Sequence, residues 1–134
     1  MIFVDTGAWF ASVVPSDPDH RAATAWFAFN RQPLHTSDYV VDETLTLLRV
    51  RGEYRRAVAM GRLFFTGRLA RVHHVSEADV LAAWRVFEQF SDKAWSFTDC
   101  TSKVLMERMG IMRAVAFDEH FRQFGSVIVC PEEG

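Results

Sequence analysis

Short apolar runs alternate with longer amphipathic segments along this chain, and this alternation limits the folds that it can adopt. The first run covers positions 2–4 and is followed directly by Asp5. Similar runs lie at positions 34–37, 69–75, 114–117 and 127–130. They are too short for helices and are predicted strands, with helical patterns between them. The alternation predicts an α/β fold with a parallel sheet of about five strands, covered on both faces.

The chain has the size of one domain, and we expect residues 1–134 to form a single unit without an internal linker. Apolar residues make up 49% of it, which is enough for a real core. No apolar run approaches the roughly 20 residues that a bilayer-spanning helix needs. The opening residues lack a basic leader, so we do not expect a secretory signal. We expect a cytoplasmic protein.

Four acidic residues from distant parts of the chain are candidates for one site. Asp5 and Asp118 each follow a predicted strand directly, and parallel strands present their carboxyl ends at one edge of a sheet. Glu43 lies in the first turns of the helix after the second strand. Asp99 lies in the first turn of another helix, for which Thr98 is the candidate cap. Any one of these acids alone could be a turn residue or a cap, so the prediction rests on the four together.

Clustered carboxylates repel one another and favour a bound cation, which relieves the repulsion. Hard oxygen ligands without histidine or thiolate select Mg²⁺ or Mn²⁺. Such an ion can bind a phosphodiester oxygen and lower the pKa of a water. Two ions about 4 Å apart could activate the water and stabilise the leaving oxygen. The pattern therefore predicts in-line attack of water on phosphorus, with one ion or two.

An arginine-rich segment gives the chain a local positive charge, although the formal net charge is −2. Between Thr44 and Val75, seven arginines face one acidic residue, Glu53, for a segment charge of +6. Arginine binds phosphate in a bidentate way. The stripe could be only a solvated helical face. Beside an acidic metal site, however, it suits a polyanionic substrate.

Other catalytic patterns are absent or incomplete. Cys100 and Cys130 form no CxxC motif and are interpreted as small buried hydrophobes. A phosphotransferase with a nucleophilic first aspartate would need a second aspartate where this chain has Gly7. His120 follows Asp118 closely and is a secondary candidate to approach a substrate phosphate.

Four segments carry the acidic candidates in a recognisable order and spacing. They are Ile2–Thr6, Val40–Thr44, Ser96–Ser102 running into Met106–Ile111, and Ala116–Phe121 followed by Phe124-Gly125. Together they resemble the PIN-domain nucleases, and especially the VapC-type toxins of bacterial toxin–antitoxin pairs. The resemblance covers nearly the whole chain, and the third segment is its most specific part.

The resemblance implies a PIN-like three-layer α/β/α sandwich and endonucleolytic cleavage of RNA that depends on Mg²⁺ or Mn²⁺. It also implies a homodimer and inhibition by a cognate antitoxin. Its catalytic and metal-binding positions match Asp5, Glu43, Asp99 and Asp118. With RNA as the substrate, the arginines to consider are Arg49, Arg51, Arg55 and Arg56.

The chain departs from the family pattern at two positions. The family often has Thr or Ser two residues before the fourth acid, where this chain has Ala116. It often has a small polar residue two positions after the first acid, where this chain has Gly7. We expect hydroxyls from Thr6, Ser96 and Thr98 to support the site instead. One ion is therefore predicted outright, and a second depends on Asp118.

Asp42, directly before Glu43, makes the assignment of the second acid ambiguous. Adjacent helical residues point about 100° apart, so only one can face the site. The family pattern selects Glu43. Two other functions stay open: a catalytically silent PIN-like module that binds RNA or protein, and an RNA-processing nuclease without an antitoxin.

Overall fold

A computed structural model describes residues 1–132; positions 133 and 134 of the predicted single domain lie outside the described residues. The strands are β1 Ile2–Val4, β2 Leu34–Ser37, β3 Arg71–His73, β4 Arg113–Val115 and β5 Ile128–Cys130. The α-helices are α1 Thr6–Val13, α2 His20–Phe29, α3 Asp38–Val50, α4 Tyr54–Phe65, α5 Glu77–Gln89 and α6 Phe97–Met109. A short 3₁₀ helix covers Arg122–Phe124. No helix within residues 1–132 has the length and apolar character to cross a membrane.

The five strands form one parallel sheet in the order β3-β2-β1-β4-β5, which confirms the predicted sheet. The chain moves outward from β1 to β2 and β3, then crosses back to β4 and continues to β5. Since crossovers between parallel strands are right-handed, this strand order puts α1 to α4 on one face and α5 and α6 on the other. The helices pack accordingly, α1 on α2 and α3, α3 on α4, and α5 on α6. The three-layer α/β/α prediction is therefore also confirmed.

The reversal in strand order falls between β1 and β4, at the centre of the sheet. The backbone N–H of Asp5 donates to the carbonyl oxygen of Val115 at 3.1 Å, so the two strands end side by side. The connections that leave these ends go to opposite faces. A crevice forms at such a switch point, outside the carboxyl ends of the strands.

Aromatic side chains pack α1 and the connection after β4 against the sheet. On one face, the buried ring of Trp9 in α1 donates a hydrogen bond to Thr36 of β2 at 3.3 Å and packs edge-on against Phe64 of α4. Elsewhere in the core, Phe3 of β1 stacks with Phe121, with 6.2 Å between ring centroids. Because Phe3 and Trp9 lie so close to Asp5 in sequence, this packing also fixes the backbone on either side of Asp5.

An ion pair joins α5 to α6. Arg108, near the end of α6, donates two hydrogen bonds of 2.9 Å to the carboxylate of Asp79. Asp79 also belongs to the capping box that begins α5 at Ser76. Burial alone would raise the pKa of Asp79, but the hydrogen bonds from Arg108 and Ser76 outweigh it and lower the pKa. The start of α5 is thereby tied to the end of α6.

Two local predictions were wrong by a few residues. Helix α6 begins at Phe97 with Ser96 as its cap, not Thr98. The reason is a capping box, in which Ser96 and Asp99 exchange side-chain-to-backbone hydrogen bonds. Strand β4 ends at Val115, so two residues separate it from Asp118 instead of none.

Candidate active site

Asp5 is the innermost acid of the site. It follows β1 and is the N-cap residue of α1, yet its side chain makes no capping hydrogen bond. Its carboxylate is only 2% exposed, and Oδ1 has no hydrogen-bond partner among the described residues. The neighbouring Thr6 hydroxyl is also buried and unpartnered in that part of the chain. Since an unsatisfied buried polar atom costs about 1–3 kcal/mol, two adjacent ones suit a site that binds a ligand.

Burial raises the pKa of Asp5 well above its ordinary value, and the charges of Asp99, Asp118 and Glu43 raise it further. A repulsion of this kind requires that the three other carboxylates lie near Asp5. The acids come from four separate segments, as the sequence predicts.

Asp99 is the second buried acid and is held firmly. Its Oδ2 accepts the backbone N–H of Ser96 at 3.0 Å and contacts Nδ1 of His120 at 2.7 Å. Burial raises the pKa of Asp99, the hydrogen bonds from Ser96 and His120 oppose that effect, and the charge of Asp118 adds to it. The hydrogen bonds thus favour the ionised form of the Asp99 carboxylate, which burial disfavours.

Glu43 and Asp118 lie nearer the solvent than the other two acids. Glu43 is half-buried, whereas its neighbour Asp42 is exposed, so α3 turns Glu43 toward the cluster. The side chain of Asp118 is 46% exposed, and its Oδ1 accepts the backbone N–H of His120 at 3.0 Å. The cluster therefore has a buried inner side at Asp5 and Asp99 and an open rim at Asp118.

The three hydroxyl residues have different surroundings. Thr6 lies inside the site beside Asp5. The hydroxyl of Ser96 accepts the backbone N–H of Asp99 at 3.0 Å, so it serves as a helix cap. Thr98 is half-buried in the first turn of α6. Of the three, Thr6 has the position best suited to contact a ligand in the cluster.

His120 joins two of the acids, a role that the sequence pattern did not assign to it. Its ring contacts Asp99, and its backbone N–H holds Asp118. The one signal in the sequence was its place two residues after the fourth acid. Sequence spacing could not show that its ring reaches back to α6.

The residues of the cluster fit a divalent cation. No group of three acidic, histidine or cysteine side chains within residues 1–132 is already arranged to hold an ion. The orphaned oxygens of Asp5 and Thr6, together with a donor set of carboxylates, suit Mg²⁺ or Mn²⁺.

Of the predicted RNA-contacting arginines, Arg51 lies at the far end of α1 from Asp5. Arg51 lines a surface depression with Val14. Val14 is the C-cap residue of α1, and Asp5 is its N-cap residue. At 1.5 Å per residue, about 13 Å of helix separates the two ends. The guanidinium of Arg49 lies 5.0 Å from the ring centroid of Tyr54. Arg55 is exposed, and Arg56 is exposed and pairs with the acidic residue Glu53 at 2.6 Å.

Comparison with known proteins agrees with this geometry. The model of the PIN domain family matches residues 2–127. The chain is 37% identical over 132 residues to the 23S rRNA-specific endonuclease VapC20 of Mycobacterium tuberculosis, covering 98% of this chain and all of that protein. The solved structure of M. tuberculosis VapC20, described as a sarcin–ricin loop cleaving toxin, matches with a TM-score of 0.89 and 35% identity over 95% of this chain and 97% of that one.

More distant structures share the fold. The FitAcB structure from Neisseria gonorrhoeae matches with a TM-score of 0.68 and 17% identity over 96% of each chain. At that identity the likeness concerns the fold alone. The chain belongs to the PIN-domain family, so the predicted family is confirmed. The expectation of a toxin-type endoribonuclease agrees with the activity for which its relative VapC20 is named.

Asp5→Asn should stabilise the metal-free protein. Because the pKa of Asp5 is raised in the fold, the native state holds a proton more tightly than the unfolded chain does, and the ionised form destabilises the fold. We expect a gain on the order of 1 kcal/mol in urea unfolding at pH 7 with chelator. The gain should shrink as the pH falls toward the ordinary carboxyl pKa near 3.8.

Exposed Asp42→Asn is the matched control and should change the unfolding free energy by less than about 0.5 kcal/mol. Saturating Mn²⁺ should then stabilise the wild type, by about 2.7 kcal/mol at one hundred times its Kd, and leave Asp5→Asn nearly unchanged. Lower stability of Asp5→Asn in chelator at pH 7 would contradict the electrostatic account.

Proposed function

We propose that this chain is a metal-dependent endoribonuclease and the toxin of a toxin–antitoxin pair. The observation that carries the proposal is the buried, unpartnered carboxylate of Asp5 within four acids at the switch point of a PIN fold. Asp5, Glu43 and Asp99 would hold the first Mg²⁺ or Mn²⁺, and exposed Asp118 would support a second ion that binds more weakly.

A bound cation would neutralise the carboxylates, polarise the phosphodiester and favour ionisation of the attacking water. The chain's own residues would position this chemistry. Burial keeps bulk water away from Asp5, and the Thr6 hydroxyl would orient an oxygen beside it. Asp118, at the rim, lies where an RNA backbone can arrive from solvent.

We propose 23S ribosomal RNA, at its sarcin–ricin loop, as the substrate. The support is the full-length similarity to VapC20, which is named for its action on 23S rRNA and described as cleaving that loop. Action on ribosomal RNA would place the protein in the cytoplasm. The fold itself supports many functions, so substrate choice has to be tested directly.

Substitution of the acids should slow RNA cleavage by amounts that differ between the four positions. We expect Asp5→Asn, Glu43→Gln and Asp99→Asn each to slow cleavage of a sarcin–ricin-loop RNA in Mg²⁺ or Mn²⁺ by about 100-fold or more, because each removes a ligand charge. Asp118→Asn should cost about 10-fold, the loss typical of an indirect metal contact. Asp42→Asn, beside Glu43 but exposed, should retain activity.

The same assay separates the alternatives. Chelator-resistant cleavage, or full activity in the acid variants, would exclude the metal–carboxylate mechanism. A folded wild type that cleaves no RNA at all would favour the silent binding module. Cleavage of unrelated RNAs with equal efficiency would contradict the proposed substrate while leaving the nuclease in place.

We propose further that Arg49, Arg51, Arg55 and Arg56 contact the RNA backbone beyond the scissile phosphate. Arg51 lies beside Val14, about 13 Å along α1 from Asp5, a length that a few nucleotides can span. Arg49 and Arg56 keep local partners, Tyr54 and Glu53, which leaves Arg51 and Arg55 the most accessible of the four.

Arg55→Gln should raise KM several-fold and leave kcat unchanged, because it would remove binding that the ground state and transition state share. It should also reduce the salt dependence of RNA binding by about 0.7 in the slope of log affinity against log salt. Arg31→Gln, an exposed arginine outside the segment, is the control. An equal effect of both variants would show only a general charge effect.

We propose that the protein forms a homodimer through an aromatic surface on α5. Leu81, Trp84 and Phe87 are exposed there. Trp84 stacks on Phe87, and the row continues through Phe97 to Tyr39 with centroid distances near 6 Å. Contiguous apolar patches are uncommon on monomers, and aromatics anchor interfaces.

A cognate antitoxin is the second proposed partner, supported by the similarity to VapC20, which is described as a toxin. We expect the product of a neighbouring small DNA-binding-protein gene to suppress cleavage when it is mixed with this protein. Cleavage that no such product suppresses would favour an RNA-processing nuclease.

Trp84→Glu should convert the dimer to a monomer, because a charge would enter the desolvated interface. Sedimentation equilibrium would measure the change from twice the chain mass to once. Phe29→Glu, which alters a side chain exposed to 86% on α2, is the control and should leave the dimer intact. A wild type that sediments as a monomer at high concentration would contradict the proposal.

A further inference from the structure

His120 is the one described residue that contacts two acids of the cluster. Its ring Nδ1 lies 2.7 Å from Oδ2 of Asp99 and 3.8 Å from Oδ2 of Asp118. Its backbone N–H donates to Oδ1 of Asp118 at 3.0 Å. The ring is largely covered, with 29% of the side chain exposed. The connection after β4 is thus linked to the start of α6 through this ring.

The loop that carries His120 does not need the ring to hold its position. The next residue, Phe121, is fully buried between Phe3 and Phe124, with centroid distances of 6.2 and 4.7 Å. The turn at Asp118 is closed by the backbone of His120, independent of its side chain. The ring is therefore available for a role other than fixing the loop.

The contact with Asp99 leaves one carboxylate oxygen free. Oδ2 of Asp99 already accepts the backbone N–H of Ser96. An ionised carboxylate, the form that binds a cation, can only accept, so Nδ1 of His120 is the donor in the second bond to that oxygen. Both hydrogen bonds fix the rotation of the carboxylate about its Cβ–Cγ bond. Oδ1 is then the oxygen presented to a cation.

We propose that His120 is a positioning residue, which orients the Asp99 carboxylate for cation binding through a hydrogen bond from Nδ1 to Oδ2. The proposal rests on the proposed metal-dependent function of the site. Hydrogen-bonding partners of ligating carboxylates typically contribute 10–100-fold to metal affinity or activity. His120 acts through Asp99 and does not itself touch substrate or ion.

Asparagine and leucine at position 120 provide a matched comparison. The two side chains have the same branching and nearly the same size, but only the amide of asparagine can donate, from an atom that occupies nearly the place of Nδ1. The test is calorimetric titration of RNA-free, chelator-treated protein with Mn²⁺, beside a thermal unfolding scan without metal. RNA cleavage is measured in parallel.

We expect His120→Leu to bind Mn²⁺ 10–100-fold more weakly than the wild type and to lose cleavage at subsaturating Mn²⁺. His120→Asn should recover affinity to within about threefold of the wild type. His74→Asn should change neither quantity; it alters an exposed histidine that contacts Asp38 at 3.3 Å outside the cluster. The unfolding scans check that both variants at position 120 are folded under the conditions of the titration.

Equal Mn²⁺ affinity in His120→Leu and the wild type, while Asp99→Asn binds weakly, would overturn the positioning role and leave the proposed function standing. Equal weakening in the Leu and Asn variants would also overturn it, since the donor would then be irrelevant. Absence of Mn²⁺ binding in the wild type itself would instead contradict the proposed function.

Discussion

Repulsion among carboxylates at the centre of the sheet is the constraint around which this molecule is organised. Asp5 is buried with an unpartnered oxygen, and the charges of three other acids reach it. Such an arrangement costs free energy in the metal-free protein. It persists because neighbouring side chains fix the backbone on either side: Phe3 packs on Phe121 before Asp5, and Trp9 bonds to Thr36 after it.

The topology of the sheet determines where the repelling carboxylates lie. β1 and β4 end side by side, and their connections diverge to opposite faces. The divergence leaves room for side chains from α3 and α6 to enter from each layer. Glu43 enters this space from α3 and is half-buried. Asp99 enters it from α6 and is held by the capping box with Ser96. A cation at this position would therefore contact all three layers of the fold.

The alternation of strands and helices made the sheet predictable, because the periodicity of side chains follows directly from burial. Asp5 was predictable for the same reason, as the first polar residue after a buried strand. Family resemblance, rather than periodicity, selected Glu43 over Asp42, and the exposure of Asp42 agrees with that choice. The capping role of Ser96 was missed because Thr98 is an equally good cap by type, and only the backbone shows which one is used. The contact between His120 and Asp99 spans 21 positions and depends on the placement of two loops, which no local pattern encodes.

Asp99 serves the fold and the cluster at once. Its carboxylate closes the first turn of α6 through Ser96, and the same group faces Asp5. Asp5 has no such structural duty, since its side chain caps nothing. A mutational survey that scores cellular abundance and metal binding separately would therefore distinguish the two acids. Changes at position 99 would lower both scores, whereas changes at position 5 would lower metal binding while the protein accumulates.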